Sequence, residues 1–332
     1  MSKTFQSLLD GDCLRLPADT QHERSVHRWS QPEIDALTLA AAAQRPLLVR
    51  GEPGTGKTQL ARAAAHHQGR TLHSVTIHPR YEPQDLVYRF DAIRRLADAQ
   101  AGAVQADTAY WEPGPLWLAF DWASAARFGS CIGLPAPTGH AILIDEIDKA
   151  DSDLPNSLLE LLGQRSLTIA PLKNLVIGGP AVAKPLIVIT TNEERELPAA
   201  FLRRCVVLNL APNASMSYQE WLLDRGQAHF GPDAVEPGAA ALLSDTVMTL
   251  AAMQLCADRQ NAKDAGLAPP GPAEYLDLLA ALQRLAPSDS SAQLAWLKQL
   301  SAYAFVKHGQ TEGQPGLPQS RPVVPGLGTR VE

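Results

Sequence analysis

Five short apolar runs punctuate the first two thirds of the chain: Leu47–Val49, Leu72–Ile77, Ala141–Ile144, Leu186–Thr190 and Val206–Leu210. Several lack strict polar–apolar alternation, as expected of strands covered by helices on both faces of a sheet. Helical stretches separate most of them, so the pattern predicts an α/β fold with a doubly wound, five-stranded parallel sheet. Beyond residue 212 the spacing changes. Tyr218–Arg225, Ala239–Cys256, Ala273–Arg284 and Ser291–Lys307 carry Leu and Ala at helical intervals, with no evident strand between them. Residues 213–308 therefore read as a smaller all-α domain, with the Gly- and Pro-rich Asn261–Pro272 as a loop between two helices. Residues 1–30 form an arm without assigned structure. The tail from Gly309 is dense in Pro and Gly and is expected to be disordered.

Composition narrows the class. With 29 Lys and Arg against 35 Asp and Glu the formal charge is −6, which argues against broad nucleic-acid binding. Cys13, Cys131, Cys205 and Cys256 are scattered, without C-x-x-C or metal spacing, as suits reduced cytosolic thiols. No stretch approaches the ~20 apolar residues that span a bilayer. The start, MSKTFQSLLDGD, turns acidic where a signal peptide needs an apolar core. A soluble, cytoplasmic protein without membrane insertion is expected.

The strongest chemical signal follows the first apolar run. Gly51-Glu52-Pro53-Gly54-Thr55-Gly56-Lys57-Thr58 is a complete G-x-x-x-x-G-K-[ST] phosphate-binding loop. Its glycines let backbone N–H groups turn inward around a polyphosphate. Lys57 reaches the β- and γ-phosphates, and the Thr58 hydroxyl is placed to ligate Mg²⁺. Strand-type Leu47-Leu48-Val49 before it and the Ala-rich helix Gln59–Gln68 after it, closed by Gly69, supply the context the motif requires. The chain is thus expected to bind a nucleoside triphosphate. It lacks an N-K-x-D guanine signature, which favours ATP.

Other segments supply the rest of a hydrolytic site. Ala141–Ile144 runs directly into Asp145 and Glu146; the first would hold Mg²⁺ through water and the second polarise the attacking water as general base. The next strand ends in Thr190-Thr191-Asn192. Asn192 either orients the water near the γ-phosphate or simply caps a turn. A short helix, Leu197–Leu202, then leads to Arg203 and Arg204. This pair is either a solvated helix end or a finger reaching a neighbouring subunit's γ-phosphate.

Together these segments resemble the AAA+ ATPases, and within them the MoxR-like branch, over about residues 30–212. GEPGTGKT is similar to Walker A and ILIDEID to Walker B. TTNEERELPAAFLRRC looks like a sensor 1 segment followed by an arginine-finger helix. The resemblance implies Asn192 as sensor 1, and Arg204, with Arg203 as second candidate, as the trans-acting finger. It also implies a hairpin at about Leu167–Lys184, with Leu167 and Ile169 in one arm and Val176–Gly179 in the other. An insert at about 79–139 would include His78–Phe90 and Trp111–Phe120. The family usually presents an arginine at the start of a lid helix; Gly271-Pro272-Ala273-Glu274-Tyr275, the matching stretch, contains none, so either the lid helix aligns elsewhere or nucleotide sensing by the lid differs.

The implied activity is Mg²⁺-dependent ATP hydrolysis in a homo-oligomeric ring, a hexamer, that remodels a partner protein. By resemblance to MoxR members of bacterial conflict systems, that partner carries a von Willebrand factor A domain. Two alternatives stand beside it: a motor subunit of a nucleic-acid-directed machine of McrB type, and a nucleotide-gated scaffold with slow turnover. Trp111, Trp117, Trp122 and Phe120 either grip a peptide or pack the insert on the core. His66 and His67 lack further ligands at metal spacing.

Overall fold

The computed structural model describes residues 3–18, 24–150, 154–158, 166–178, 184–212, 216–234 and 242–306. The N-terminal arm contains two strands that its sequence did not announce. β1 (Cys13–Leu16) and β2 (Ser25–Arg28) pair antiparallel, with Leu16 opposite Ser25. Each has only four residues, too few for a periodic signal. α1 (Gln31–Ala43) follows. The Ser30 amide donates to Glu33 Oε2 at 2.8 Å, and the helix ends at Gln44 in the left-handed region.

The five apolar runs form one parallel sheet. β3 (Leu47–Arg50) leads through α2 (Lys57–His67) to β4 (Thr71–Thr76). The segment after β4 holds a small antiparallel pair, β5 (Tyr88–Phe90) and β6 (Trp111–Pro113), with α3 (Ala92–Gln100) between them. Then come α4 (Pro115–Phe120), α5 (Trp122–Ala125) and β7 (His140–Asp145). The hairpin β8 (Ser166–Ile169) and β9 (Leu175–Gly178) precedes β10 (Leu186–Thr191), α6 (Ala199–Leu202) and β11 (Val206–Asn209). Sheet order is β11-β3-β10-β7-β4.

Burial follows position in that sheet. All six residues of the central β10 are buried, as are Leu47, Leu48 and Val49 of β3. β4 departs from the expected double-sided burial: it lies at the sheet edge, and none of its residues is fully buried. Ala61, Ala63, Ala64 and Ala65 bury their methyl groups on α2, and small side chains let that helix sit close to the sheet. Trp117 is fully buried and donates its indole N–H to Ser124 Oγ at 2.7 Å, so this tryptophan packs the insert against the core. In the β8–β9 hairpin Leu167 faces Ile177 and Thr168 faces Val176. Gly179, assigned to that hairpin from the sequence, lies outside the described residues.

Four helices make a separate core: α7 (Tyr218–Phe230), α8 (Asp245–Asp264), α9 (Pro272–Leu285) and α10 (Ser290–Phe305). Leu222, Val247, Leu255, Tyr275, Leu279 and Leu297 are buried there, and the Tyr275 hydroxyl donates to the Met248 carbonyl at 3.0 Å. α8 runs past the residue at which the sequence reading opened a loop. Asn261–Asp264 are helical, because Ala262 and Lys263 continue the helix until Gly266, at φ 67°, ends it. The start assigned to that helix, Ala239, and the tail from Gly309 lie outside the described residues.

The chain divides into two compact units. One comprises Met1–Asp10, Ser30–Gly51 and Lys57–Asn209; the other comprises Gly11–Trp29, Glu52–Gly56 and Leu210–Glu332. All four cysteines are free, and burial pushes the Cys205 thiol up to about 11, far from thiolate reactivity. Among the described residues no helix is long and apolar enough to cross a membrane.

Candidate functional site

Three adjacent strands of the sheet deliver the predicted chemistry to one edge. β10 lies between β3 and β7, so Gly51, Asp145 and Asn192 all stand at or just past carboxyl ends of neighbouring strands. Open α/β sheets place ligands there. Lys57 opens α2, where helix N-terminal amides and dipole favour phosphate. Its side chain is 7% exposed, and its ammonium donates to the Gly51 carbonyl at 2.7 Å. Burial lowers the Lys57 pKa, against the opposing pull of Asp145, Asp148, Glu146 and Glu193. A buried ammonium at the N-terminus of a helix is placed to pair with a polyanion.

The carboxylates are arranged by hydroxyls and amides. Thr58 Oγ1 donates to Asp145 Oδ2 at 2.9 Å, while Thr190 Oγ1 donates to Asp145 Oδ1. The same Thr190 oxygen accepts the Glu146 amide at 2.9 Å, tying the ends of β7 and β10 together. Glu146 has φ 59°, a left-handed backbone uncommon for a residue with a side chain, which turns its carboxylate off the strand direction. Lys149 Nζ donates to Glu146 Oε2 at 2.8 Å, and Asn192 Nδ2 lies 3.4 Å from Glu146 Oε1. Asn192 is thus beside the candidate base.

Besides Thr190, two further supporting residues of the first unit escaped the sequence reading. Asp148 is 2% exposed, and its Oδ2 accepts the amides of Asn192 at 3.2 Å and Glu194 at 3.0 Å. It fixes the loop that carries Asn192. The acidic run Asp145-Glu146-Ile147-Asp148 contained this signal, but spacing alone does not separate a loop brace from a third site acid. Arg45 is the other. Its guanidinium donates to the carbonyls of Arg203, Arg204 and Cys205, the last two at 3.1 Å. It clamps the turn after α6 while the side chains of Arg203 and Arg204 remain exposed. No local pattern links Arg45 to a turn 159 residues away.

Within the second unit, Glu52–Gly56 meets the helical core. Arg259 of α8 donates to Glu52 Oε1 at 2.5 Å and to the Pro270 carbonyl at 2.8 Å, with its guanidinium 4.5 Å from the Tyr218 ring centre. The stretch Gly271–Tyr275, which lacks the family's lid arginine, begins α9, and Ala273 rests against the loop. A Cβ built on Gly54 would fall 2.4 Å from Ala273 N and 2.5 Å from its Cβ. Gly54 also has φ 79°, which costs a side-chain-bearing residue about 1–2 kcal/mol before any clash. Gly54→Ala is therefore expected to lower Tm by about 2–8 °C in thermal unfolding. An unchanged Tm would show that the loop does not pack this way.

Thr58 and Asp145 place a hydroxyl and a carboxylate oxygen 2.9 Å apart, both hard oxygen donors. Among the described residues no group of three or more His, Cys, Asp or Glu side chains converges on a metal position. One carboxylate and one hydroxyl, with phosphate oxygens and waters completing the shell, is the donor set that suits Mg²⁺.

Residues 46–205 match the AAA domain of the dynein-related subfamily. Among solved structures, the chain is similar to a candidate ATPase from Cytophaga hutchinsonii: 16% identity, 76% of this chain and 73% of that one, TM-score 0.37. It is also similar to the RuvB Holliday junction branch migration motor of Thermotoga maritima: 15% identity, 81% and 67% coverage, TM-score 0.41. The domain match and the strand order establish an AAA+ P-loop NTPase fold followed by a helical C-terminal region. An AAA domain is a nucleotide-binding ATPase module, and that coarse assignment holds for residues 46–205.

Proposed function

We propose that this chain binds ATP with Mg²⁺ and hydrolyses it within a ring of its own copies, hexameric and cytoplasmic, to remodel a partner protein. The reading is of MoxR type, with a von Willebrand factor A domain protein as partner. The observation that carries it is the convergence of Thr58, Asp145, Glu146 and Asn192, with Thr58 bonded to Asp145, Asn192 to Glu146, and Thr190 joining the two pairs. Each residue has a role its chemistry suits. The amides of Gly51–Thr58 cradle the phosphates, and Lys57 exchanges the Gly51 carbonyl for phosphate oxygens. Thr58 and Asp145 hold Mg²⁺, which when bound neutralises charge on the phosphate oxygens. The Glu146 carboxylate takes a proton from a water that Asn192 orients. The water oxygen then bonds to the γ-phosphorus, and the bond to the β–γ bridging oxygen breaks to leave ADP.

Arg204, or Arg203 beside it, completes a neighbour's site. Both are exposed on a turn whose backbone Arg45 holds, the arrangement a finger aimed at another subunit requires. Arg204→Ala rings should bind ATP normally yet turn over slowly. Mixed with Lys57→Ala subunits, which keep their finger, they should regain activity above either variant alone. If no mixing ratio restores turnover while both variants assemble, the finger does not act in trans.

A further inference from the structure

A groove of about 710 Å³ opens between the insert and the β8–β9 hairpin, within the first unit. Its walls are apolar: Phe90, Trp111, Phe128, Leu172 and Leu175. Phe90 and Trp111 pack against each other with ring centres 4.7 Å apart and planes tilted by 47°. Around it stand three cations, Arg95, Arg127 and Lys173, with Asp107 the single carboxylate of the lining. Arg95 Nε lies 3.4 Å from Asp107 Oδ1, so that acid answers one cation only. Arg127 and Lys173 are exposed and make no ion pair among the described residues.

Two features mark this face as built for contact. α3, which carries Arg95, is amphipathic yet buries none of its residues. Ile93 is 83% exposed and Leu96 61% exposed. An apolar helix stripe left in water, on the same helix that sends Arg95 to the groove, is surface of the kind a partner covers. Lys173 and Asn174 hold φ 58° and 57° at the hairpin turn, two successive left-handed residues that set the cationic rim.

Charge selects the occupant. Acids outnumber bases over the whole chain, 35 to 29, whereas bases outnumber acids three to one in this groove. A local reversal of sign around an apolar floor fits a ligand with carboxylates flanking aromatic or aliphatic anchors. Nucleic acid fits less well, because tracking a phosphate backbone takes a series of free cations, and here two are unpaired. We propose that this groove docks an acidic peptide segment of a partner protein, its apolar anchor on Phe90, Trp111 and Phe128 and its carboxylates on Arg127 and Lys173. Docking here deepens the reading of a protein-remodelling ATPase by naming the partner's chemistry. It requires no nucleotide, so its failure and the failure of the ATP site are separable.

The test selects a library of random dodecapeptides on the full-length chain without nucleotide. Recovered peptides, and the oligonucleotide (dT)₂₀, are then measured by fluorescence anisotropy. The expected peptides are rich in Asp and Glu around Trp, Phe or Leu. Their affinity falls at least tenfold for Arg127→Glu combined with Lys173→Glu, and also weakens from 50 to 300 mM salt, which shortens the screening length about 2.4-fold. Both substituted residues are exposed, so that variant keeps its fold and its peptide-free ATPase rate. Trp111→Ala should lose binding as well. Peptides without acidic bias, equal binding to the doubly substituted variant, or preferential binding of (dT)₂₀ would each overturn the proposal.

Discussion

Lys57→Ala is expected to remove ATP binding almost entirely. The lost group is a buried cation on whose titration Asp145, Asp148, Glu146 and Glu193 all pull. Hydrogen bonds to charged groups contribute about 1.5–3 kcal/mol each. Losing one or two to the phosphates weakens binding by roughly 10²-fold or more. The unbalanced carboxylates then repel the incoming triphosphate, which deepens the loss. Titration with a fluorescent ATP analogue checks this, with far-ultraviolet circular dichroism to show that the fold persists. Affinity within a few-fold of wild type would refute the phosphate-loop assignment. Lys57→Arg should keep part of the binding, since charge is retained while the compact ammonium is not.

The strands and the site were legible in the sequence to different depths. The sheet could be read because β3, β7 and β10 are buried on both faces and appear as unbroken apolar runs. β4 was harder, because an edge strand with polar positions such as His73 and Ser74 carries a weaker signal. β1 and β2 stayed hidden: four-residue strands paired across a short connection offer no period to detect. Of the candidate site, the residues in local motifs are legible in the chain, since the loop at 51–58 and the pair Asp145-Glu146 are contiguous. Thr190, Asp148, Arg45 and Arg259 are not. Each acts on a group that is distant in the chain: Thr190 on the Glu146 amide, Asp148 on the Asn192 amide, Arg45 on the Arg204 carbonyl, Arg259 on Glu52. Such pairings exist only once the strands are in register.

Glu146→Gln is expected to separate binding from turnover. The amide is nearly isosteric with the carboxylate and can still meet Asn192 Nδ2 through its oxygen. It cannot accept a proton from water at useful pH. General-base catalysis contributes about 10²–10⁴-fold, or roughly 3–5 kcal/mol of barrier, so kcat should fall by that factor while ATP affinity stays within about threefold. The contact from Lys149 to Glu146 Oε2 also weakens, because a neutral amide holds an ammonium less firmly than a carboxylate does. That change frees Lys149 without touching the phosphate loop.

Hydrolysis at the site built by Asp145, Glu146 and Asn192 depends on Glu146 as the base. The most direct measurement follows the fate of radiolabelled ATP bound to Glu146→Gln after free nucleotide is removed. The variant is expected to retain the label as ATP over many wild-type turnover times, while the wild-type chain converts it to ADP. Conversion to ADP by the variant at the wild-type rate would contradict that role.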